Sequence, residues 1–487
     1  MLFDVLASPT AFLKHMLPTV PAEGTLADYE AWWEGEGKAI SFAVDQGGTP
    51  HVRLFDVFGR RVDEILYPPD YWRMLRVGYN AGSVWRAFEE ARSLIPSYAL
   101  GYLTCFYDVG LNCPYTVSLS TAVPLEKYGD AALKGRFLDP LLRRDDSVWQ
   151  GATWMTEARG GSDLGATVET IARPVDDGWR LTGDKYFCSN AGAEVAVVAA
   201  RLENGLPGVR GLGLFLLPRY REDGTLNYHL RRLKDKIATR SVPTGEIELR
   251  DSQAYLLGKP EWGIYLILEV LNLSRVSNAM GSMALAQRAM ADALAFAKGR
   301  IAFGKPLIEQ PLMCRQFEEK LLALEEAFAL AWESAQMMDE MRYQTPPYQD
   351  RFHLFRLIVH LAKYWTAELA VQSAKWAMEV NGGMGTLAEF GVERWLREAM
   401  IVDIWEGPPH RQILDGLEVM ERKGAHEMLF EVLTPYADGK ALQAVEARIA
   451  DHLKLRGAEK EAAAQGMFEA LAHFTAQALL KKMQSRR

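Results

Sequence analysis

The chain is poor in cysteine, in long apolar runs and in net positive charge, and each shortage removes a class of protein. Four cysteines occur in 487 residues, Cys105, Cys113, Cys188 and Cys314, and no two form a C-x-x-C pair. That spacing indicates neither a zinc site nor a disulfide framework, only buried or incidental thiols in a reducing compartment. No apolar run reaches the roughly 18 residues of a membrane span. The opening MLFDVLASPTAFLKHMLP lacks a basic stretch followed by an apolar one, so it does not read as a secretory signal. The expectation is a cytoplasmic protein. A net charge of -8 argues against a bulk surface shaped for nucleic acid, though not against a local basic patch. Internal repeats and low-complexity linkers are also missing.

What is present suits a large globular core: 49% of residues are hydrophobic and 24% charged. The length fits about three or four domains. Residues 1–150 read as a mostly helical domain, with Trp85, Phe88 and Ala91 at helical spacing and a helix pair over 97–119 that breaks near Asn112-Cys113-Pro114. The composition shifts near Gly151. Residues 151–262 hold short runs rich in Val, Ile and Leu, such as 195–200 and 212–217, between turn signals at Asp176-Asp177-Gly178 and Asp223-Gly224. They predict a small β-barrel domain or sandwich. The helical period returns over 263–420, with long helices expected at 263–300, 311–341, 353–380 and 391–419, the signature of a four-helix bundle. Residues 421–487 form a C-terminal helical extension, one helix showing Leu442, Val445, Ile449 and Leu453 and the other Met467, Leu471, Phe474 and Ala478.

The chemistry concentrates at Trp154-Met155-Thr156-Glu157-Ala158-Arg159-Gly160-Gly161-Ser162-Asp163. Thr156 and Ser162 offer hydroxyls, and Gly160 and Gly161 let backbone amides approach an anion. Taken alone this is equally a turn between strands. Four further stretches follow in order: Lys185-Tyr186-Phe187-Cys188-Ser189-Asn190, Arg300-Ile301-Ala302-Phe303-Gly304-Lys305-Pro306-Leu307, Val380-Asn381-Gly382-Gly383-Met384-Gly385 and Ile404-Trp405-Glu406-Gly407. Together they resemble the acyl-CoA dehydrogenase superfamily of flavoproteins over about residues 70–420. Within it, Leu54-Phe55-Asp56, Gly59-Arg60-Arg61-Val62-Asp63, Cys113-Pro114, Arg232-Leu233-Lys234-Asp235-Lys236, Arg240-Ser241 and residues 306–313 look closest to the AidB-type alkylation-response branch.

That resemblance implies a mainly α fold with a central β-barrel and a non-covalent FAD. It places Met155 and Thr156 at the flavin ring, Gly161 and Ser162 toward its phosphate side, and Phe187 and Ser189 against it from the barrel, Phe187 where many relatives have tryptophan. Arg300, Phe303, Gly382 and Gly383 would reach the FAD of a neighbouring subunit, so a homodimer or homotetramer is implied. Glu406 would be the base that takes the α-proton, with Trp405 and Gly407 beside it at the flavin. Its backbone N–H and a flavin ribityl hydroxyl would polarise the thioester carbonyl, with Arg275 near the acyl group. Ser274 stands where some relatives keep an alternative glutamate. Pro408 and Pro409 replace the hydroxyl residue that usually follows Glu-Gly, which reshapes the mouth of the site. No metal is expected.

Two functions follow. The first is an acyl-CoA dehydrogenase forming the 2-enoyl-CoA, with an electron-transfer flavoprotein as acceptor. The alternative is an AidB-like flavoprotein that associates with DNA and has little dehydrogenase activity. Residues 421–487 carry eleven Lys/Arg and nine Asp/Glu, with Lys481, Lys482, Arg486 and Arg487 at the end. This is a weakly basic tail, and its terminal lysines also complement a helix dipole.

Overall fold

The computed structural model describes residues 2–176 and 178–486. Asp177 of the expected turn and Arg487 of the terminal basic cluster lie outside the described residues. The chain forms two compact units, one of Trp32–Leu100 and Asp108–Ser274, the other of Met1–Ala31, Gly101–Tyr107 and Arg275–Arg487.

The first unit is built on a β-barrel. The strands β1 (His51–Phe55) and β2 (Arg61–Leu66) form a separate hairpin ahead of it. Then come β3 (Gly151–Trp154), β4 (Ile171–Val175), β5 (Gly178–Ser189), β6 (Val195–Leu202), β7 (Leu212–Pro218), β8 (His229–Leu233) and β9 (Thr244–Leu256). Pairing runs β6-β4-β5-β9-β7 and back to β6, so the ring is closed, with β3 added on β6 and β8 on β9. Closure explains the two apolar runs in the sequence. Strand β7 pairs with β6 over its whole length, Val195 opposite Pro218 through Arg201 opposite Leu212. Nearly every residue of both is buried, and the alternation of a half-exposed strand is lost. The barrel is filled by Trp154, Leu181, Val198, Phe215, Ile247 and Leu249. Register shifts interrupt β5 at Leu181/Gly183 and at Lys185/Cys188. At the first, Gly183 has φ +151° and an added Cβ would lie 2.7 Å from the Thr170 Cα, so only glycine fits.

Before the barrel the chain is helical, as expected, but the break is elsewhere. Helices Ile95–Tyr107 and Val109–Tyr128 part at Asp108, whose carboxylate caps the second by accepting from the Leu111 N–H at 2.8 Å. Pro114 lies inside that helix, where burial of most of its length outweighs the lost hydrogen bond.

In the second unit the helix Asp350–Asn381 packs against Pro311–Met341, Val392–Ile404 and Pro409–Lys423. The last helix, Ala464–Gln484, packs on Pro311–Met341 and Pro409–Lys423 and buries Met467, Leu471, Phe474 and Ala478. A Cβ at Gly416 would lie 2.4 Å from the Phe468 ring, which shows how closely these helices meet. A further helix, Ala425–Leu433, was not anticipated. Nor was the fourth long helix continuous: it stops at Ile404 and restarts at Pro409. Among the described residues no helix is long and apolar enough to cross a membrane.

Candidate active site

The break between Ile404 and Pro409 is where Glu406 sits. Helix Val392–Ile404 closes with the Trp405 N–H donating to the Ile401 carbonyl at 2.9 Å. Trp405 turns to extended backbone, and Glu406 and Gly407 adopt φ +60° and +104°. Pro409 then opens the next helix at its first position, where its missing N–H is no loss and its φ suits a helix. A left-handed glutamate costs on the order of 1–3 kcal/mol and persists only if its surroundings hold it. Arg275 Nε donates to the Glu406 carbonyl oxygen at 3.0 Å. Gln412 Nε2 donates to the same oxygen at 3.0 Å and to the Gly407 carbonyl at 2.9 Å. Arg275 is itself buried, 3.9 Å from Asp415, and Arg411 donates to the same carboxylate at 2.9 Å.

Burial pushes the Glu406 carboxyl up to about 7, against the pull of the nearby Arg275 and Lys363 cations. Lys363 is fully buried, donates to the Asp403 carbonyl and is pulled down to about 8, chiefly by burial. Burial raises the Asp403 carboxyl as well. His360 lies one helical turn from Lys363, its Nδ1 2.9 Å from Gln412 Oε1. Burial, then the Arg275 charge, hold His360 down to about 3, so it is neutral. The arrangement offers a carboxylate poised near neutrality on a fixed backbone, the requirement for a general base. His410 is exposed and takes no part in these contacts.

In the barrel unit the Met155 and Thr156 segment leaves β3 and is tied to β5 by the Tyr186 N–H, which donates to the Thr156 carbonyl at 2.9 Å. The buried Glu157 carboxylate accepts from Lys185 Nζ at 2.6 Å and from the Glu169 and Thr170 N–H groups at 2.6 and 3.1 Å. Burial raises the Glu157 pKa, but Lys185 and these donors outweigh it and leave it below the usual value. Gly161 and Ser162 are exposed, and a Cβ at Gly161 would meet Thr156 Oγ1 at 2.4 Å. At the second β5 irregularity Phe187 has φ +55° and is 56% exposed, its ring edge-on to Tyr186. Lys234 Nζ stands 3.2 Å from the Tyr186 ring centroid. Ser189 Oγ is 3.4 Å from Thr244 Oγ1.

The remaining expected residues lie on the surface of the second unit. Arg300 precedes a short hairpin, Ile301–Ala302 paired with Lys305–Pro306, that follows helix Gly263–Gly299, and Phe303 sits in its turn at φ +51° and 97% exposed. Gly382 and Gly383 are exposed beyond helix Asp350–Asn381, with no atom within 4 Å of a Cβ at either. The structure thus gathers Glu406, Trp405, Gly407 and Arg275 in one unit and Met155, Thr156, Gly161, Ser162, Phe187 and Ser189 in the other. Sequence reasoning missed Gln412, His360, Lys363 and the Glu157–Lys185 pair. Gln412 was within reach, because it lies three residues after Pro409 on the first turn of a proline-opened helix. Among the described residues no cluster of His, Cys, Asp and Glu is arranged to hold a metal. Of the basic tail, Lys482 is engaged with Glu333 at 2.7 Å.

Three family models match the chain: the acyl-CoA dehydrogenase C-terminal domain over residues 261–420, the acyl-CoA dehydrogenase middle domain over 152–252, and the adaptive response protein AidB N-terminal domain over 21–146. AidB of Escherichia coli (strain K12) is 30% identical over 400 residues, 78% of this chain and 71% of that protein. Among solved structures, the apo form of Bd2924 superposes with a TM-score of 0.88 at 28% identity, covering 99% of this chain and 97% of that one. Caenorhabditis elegans ACDH-11 in complex with C11-CoA superposes with a TM-score of 0.87 at 25% identity, covering 98% and 86%.

The raised Glu406 pKa has a consequence for stability. The carboxyl titrates near 7 in the fold and near 4.5 when unfolded, so the stability it contributes is complete below about 4.5 and is lost as pH rises through 7. Glu406→Gln, which stays neutral, should match the wild type in denaturant unfolding at pH 4 and exceed it at pH 8 by roughly 3 kcal/mol. Equal stabilities at both pH values would contradict the raised pKa.

Proposed function

This chain belongs to the acyl-CoA dehydrogenase superfamily, and on that premise we propose that it oxidises an acyl-CoA thioester to the 2-enoyl-CoA with Glu406 as the base. The superfamily's general chemistry is FAD-dependent oxidation of a CH–CH bond. The observation that carries the finer reading is the Glu406 carboxyl near 7 on a backbone held by Arg275 and Gln412.

The residues present fit FAD. A Cβ at Gly161 would meet Thr156 Oγ1 at 2.4 Å, so only glycine fits there, and the exposed backbone at Gly161 and Ser162 suits the approach of a phosphate. Phe187 presents a flat apolar ring to solvent from a strained bulge, as a face against a flavin would. Met155 and Thr156 would meet the ring, and Ser162 and Ser189 would hydrogen-bond the cofactor. When bound, FAD supplies the acceptor for a hydride.

The ionised Glu406 carboxylate takes a proton from Cα of the thioester, and the electron pair of that C–H bond becomes the new Cα–Cβ π bond. The hydrogen on Cβ leaves with its electron pair as hydride. The Glu406 N–H donates to the thioester carbonyl and so acidifies Cα. Arg275 fixes the carbonyl on the other side of Glu406, and Trp405 shields the carboxyl from water. An electron-transfer flavoprotein is the proposed acceptor of the electrons. Arg300, Phe303, Gly382 and Gly383, all exposed in the single chain, are proposed to contact the FAD of a second copy.

Anaerobic addition of acyl-CoA thioesters should bleach the flavin band of the purified protein, beginning with an undecanoyl thioester because the ACDH-11 structure is a complex with C11-CoA. Glu406→Gln should keep its FAD and lose the bleaching; undiminished reduction in that variant would remove Glu406 from the chemistry. No bleaching with any thioester would overturn the dehydrogenase reading. It would favour the second reading, association with DNA in an alkylation response, for which the match to the AidB N-terminal model is the supporting observation. That reading is then tested by DNA binding across a salt series. Arg300→Ala should release FAD more readily and weaken self-association, whereas full FAD content in that variant would count against the contact between copies.

A further inference from the structure

We propose that Gln412, oriented by His360, is a positioning residue that holds Glu406 in its left-handed turn at the reaction centre. The inference rests on the reading of Glu406 as the base and deepens it by adding the part that His360 plays.

The chain of contacts admits one arrangement of protons. The Glu406 and Gly407 carbonyls can only accept, and both lie within 3.0 Å of Gln412 Nε2. The amide NH2 of Gln412 must therefore face them, which turns Oε1 toward His360 Nδ1 at 2.9 Å. An amide oxygen can only accept, so Nδ1 carries the proton and the imidazole is fixed in that tautomer. A protonated imidazole would add a further positive charge beside Arg275 and Arg356, which lower its pKa, whereas only Asp415 raises it by charge. Neutral His360 orients the amide without that charge. Both side chains are buried, so water does not substitute for either.

The clamp also assigns a role to the two prolines. Gln412 reaches back to Glu406 because a new helix starts at Pro409, and the Pro408 carbonyl accepts from the Arg411 and Gln412 N–H groups at 2.9 and 3.2 Å. Pro408 and Pro409 fix where that first turn stands, and Gln412 converts its position into a hold on the peptide after Glu406. Arg275 holds the same oxygen from helix Gly263–Gly299. Of these two, Gln412 also binds the Gly407 carbonyl and so constrains both peptides of the turn.

The test compares wild type, Gln412→Met and His360→Phe as FAD-loaded proteins. Gln412→Met keeps length and burial and removes both donors, whereas His360→Phe leaves the amide without its orienting partner. In rapid-mixing reduction by a thioester that bleaches the wild type, Gln412→Met should slow the limiting rate about ten- to a hundredfold, the scale of an ångström-level misplacement. The thioester dissociation constant and FAD content should stay within about threefold. His360→Phe should fall in the same direction by less, and it carries the comparison if Gln412→Met does not yield folded protein. A wild-type limiting rate in a folded, FAD-loaded variant overturns the proposal. If no thioester reduces the wild type, the function proposed above fails and the clamp is judged on a second readout. This is the Glu406 carboxyl titration, taken from infrared difference spectra of each protein against its Glu406→Gln counterpart. Loss of the clamp should move the midpoint down from about 7 toward the ordinary glutamate value as the carboxyl relaxes toward water. An unchanged midpoint overturns the proposal independently of any turnover.

Discussion

The carbonyl oxygen of Glu406, held at 3.0 Å by both Arg275 and Gln412, is the contact on which the chemistry proposed for the helical unit depends. A glutamate at φ +60° is disfavoured by on the order of 1–3 kcal/mol. A hydrogen bond from a charged donor returns about 1.5–3 kcal/mol and a neutral one about 0.5–1.5. The guanidinium and the amide together are thus enough to hold the turn, and neither alone is comfortably so. The turn in turn dictates the break between helices Val392–Ile404 and Pro409–Lys423, and the direction in which the second sets out toward the closely packed Gly416 and Phe468.

Electrostatics at Glu406 is a contest that burial wins. Arg275 and Lys363 favour the carboxylate, yet the pKa stands near 7 because removing the group from water costs more than two cations return. The cations themselves are kept in check. Lys363 is drawn down to about 8, and His360 stays neutral and adds nothing to the positive field. The barrel unit settles the same contest the other way. Glu157 is more deeply buried than Glu406, but a lysine at 2.6 Å and two backbone donors keep it ionised. One carboxylate is therefore a structural anchor behind the Gly160-Gly161 loop, and the other is left poised to exchange a proton.

The order of helical segment, barrel and bundle was legible because burial writes itself into periodicity. Strands β6 and β7, buried along almost their whole length, show as unbroken apolar runs, and Asp350–Asn381 shows as a long helical stretch. Breaks were less legible. Pro114 suggested an end where the helix continues, because tertiary burial outweighs one missing donor. Gly407, Pro408 and Pro409 signalled a real end, but the apolar period on both sides continued through it. The site residues that motifs carried lie close together in sequence, as Trp405, Glu406 and Gly407 do. Those that were missed meet only in three dimensions: Gln412 finds His360 across 52 positions, and Glu157 finds Lys185 across 28. No local pattern encodes such pairs.

The central claim is that a half-buried Glu406 carboxyl, pushed up to about 7, does the proton work. The most direct measurement is the pH dependence of the limiting rate of flavin reduction by a thioester that bleaches the protein, followed by rapid mixing from pH 5 to 9. The base acts only when ionised, so the rate should climb with pH through a single midpoint near 7 and level off above it. A rate that is flat across this range, or one already at its plateau by pH 5.5 as for an ordinary exposed glutamate, would contradict the account.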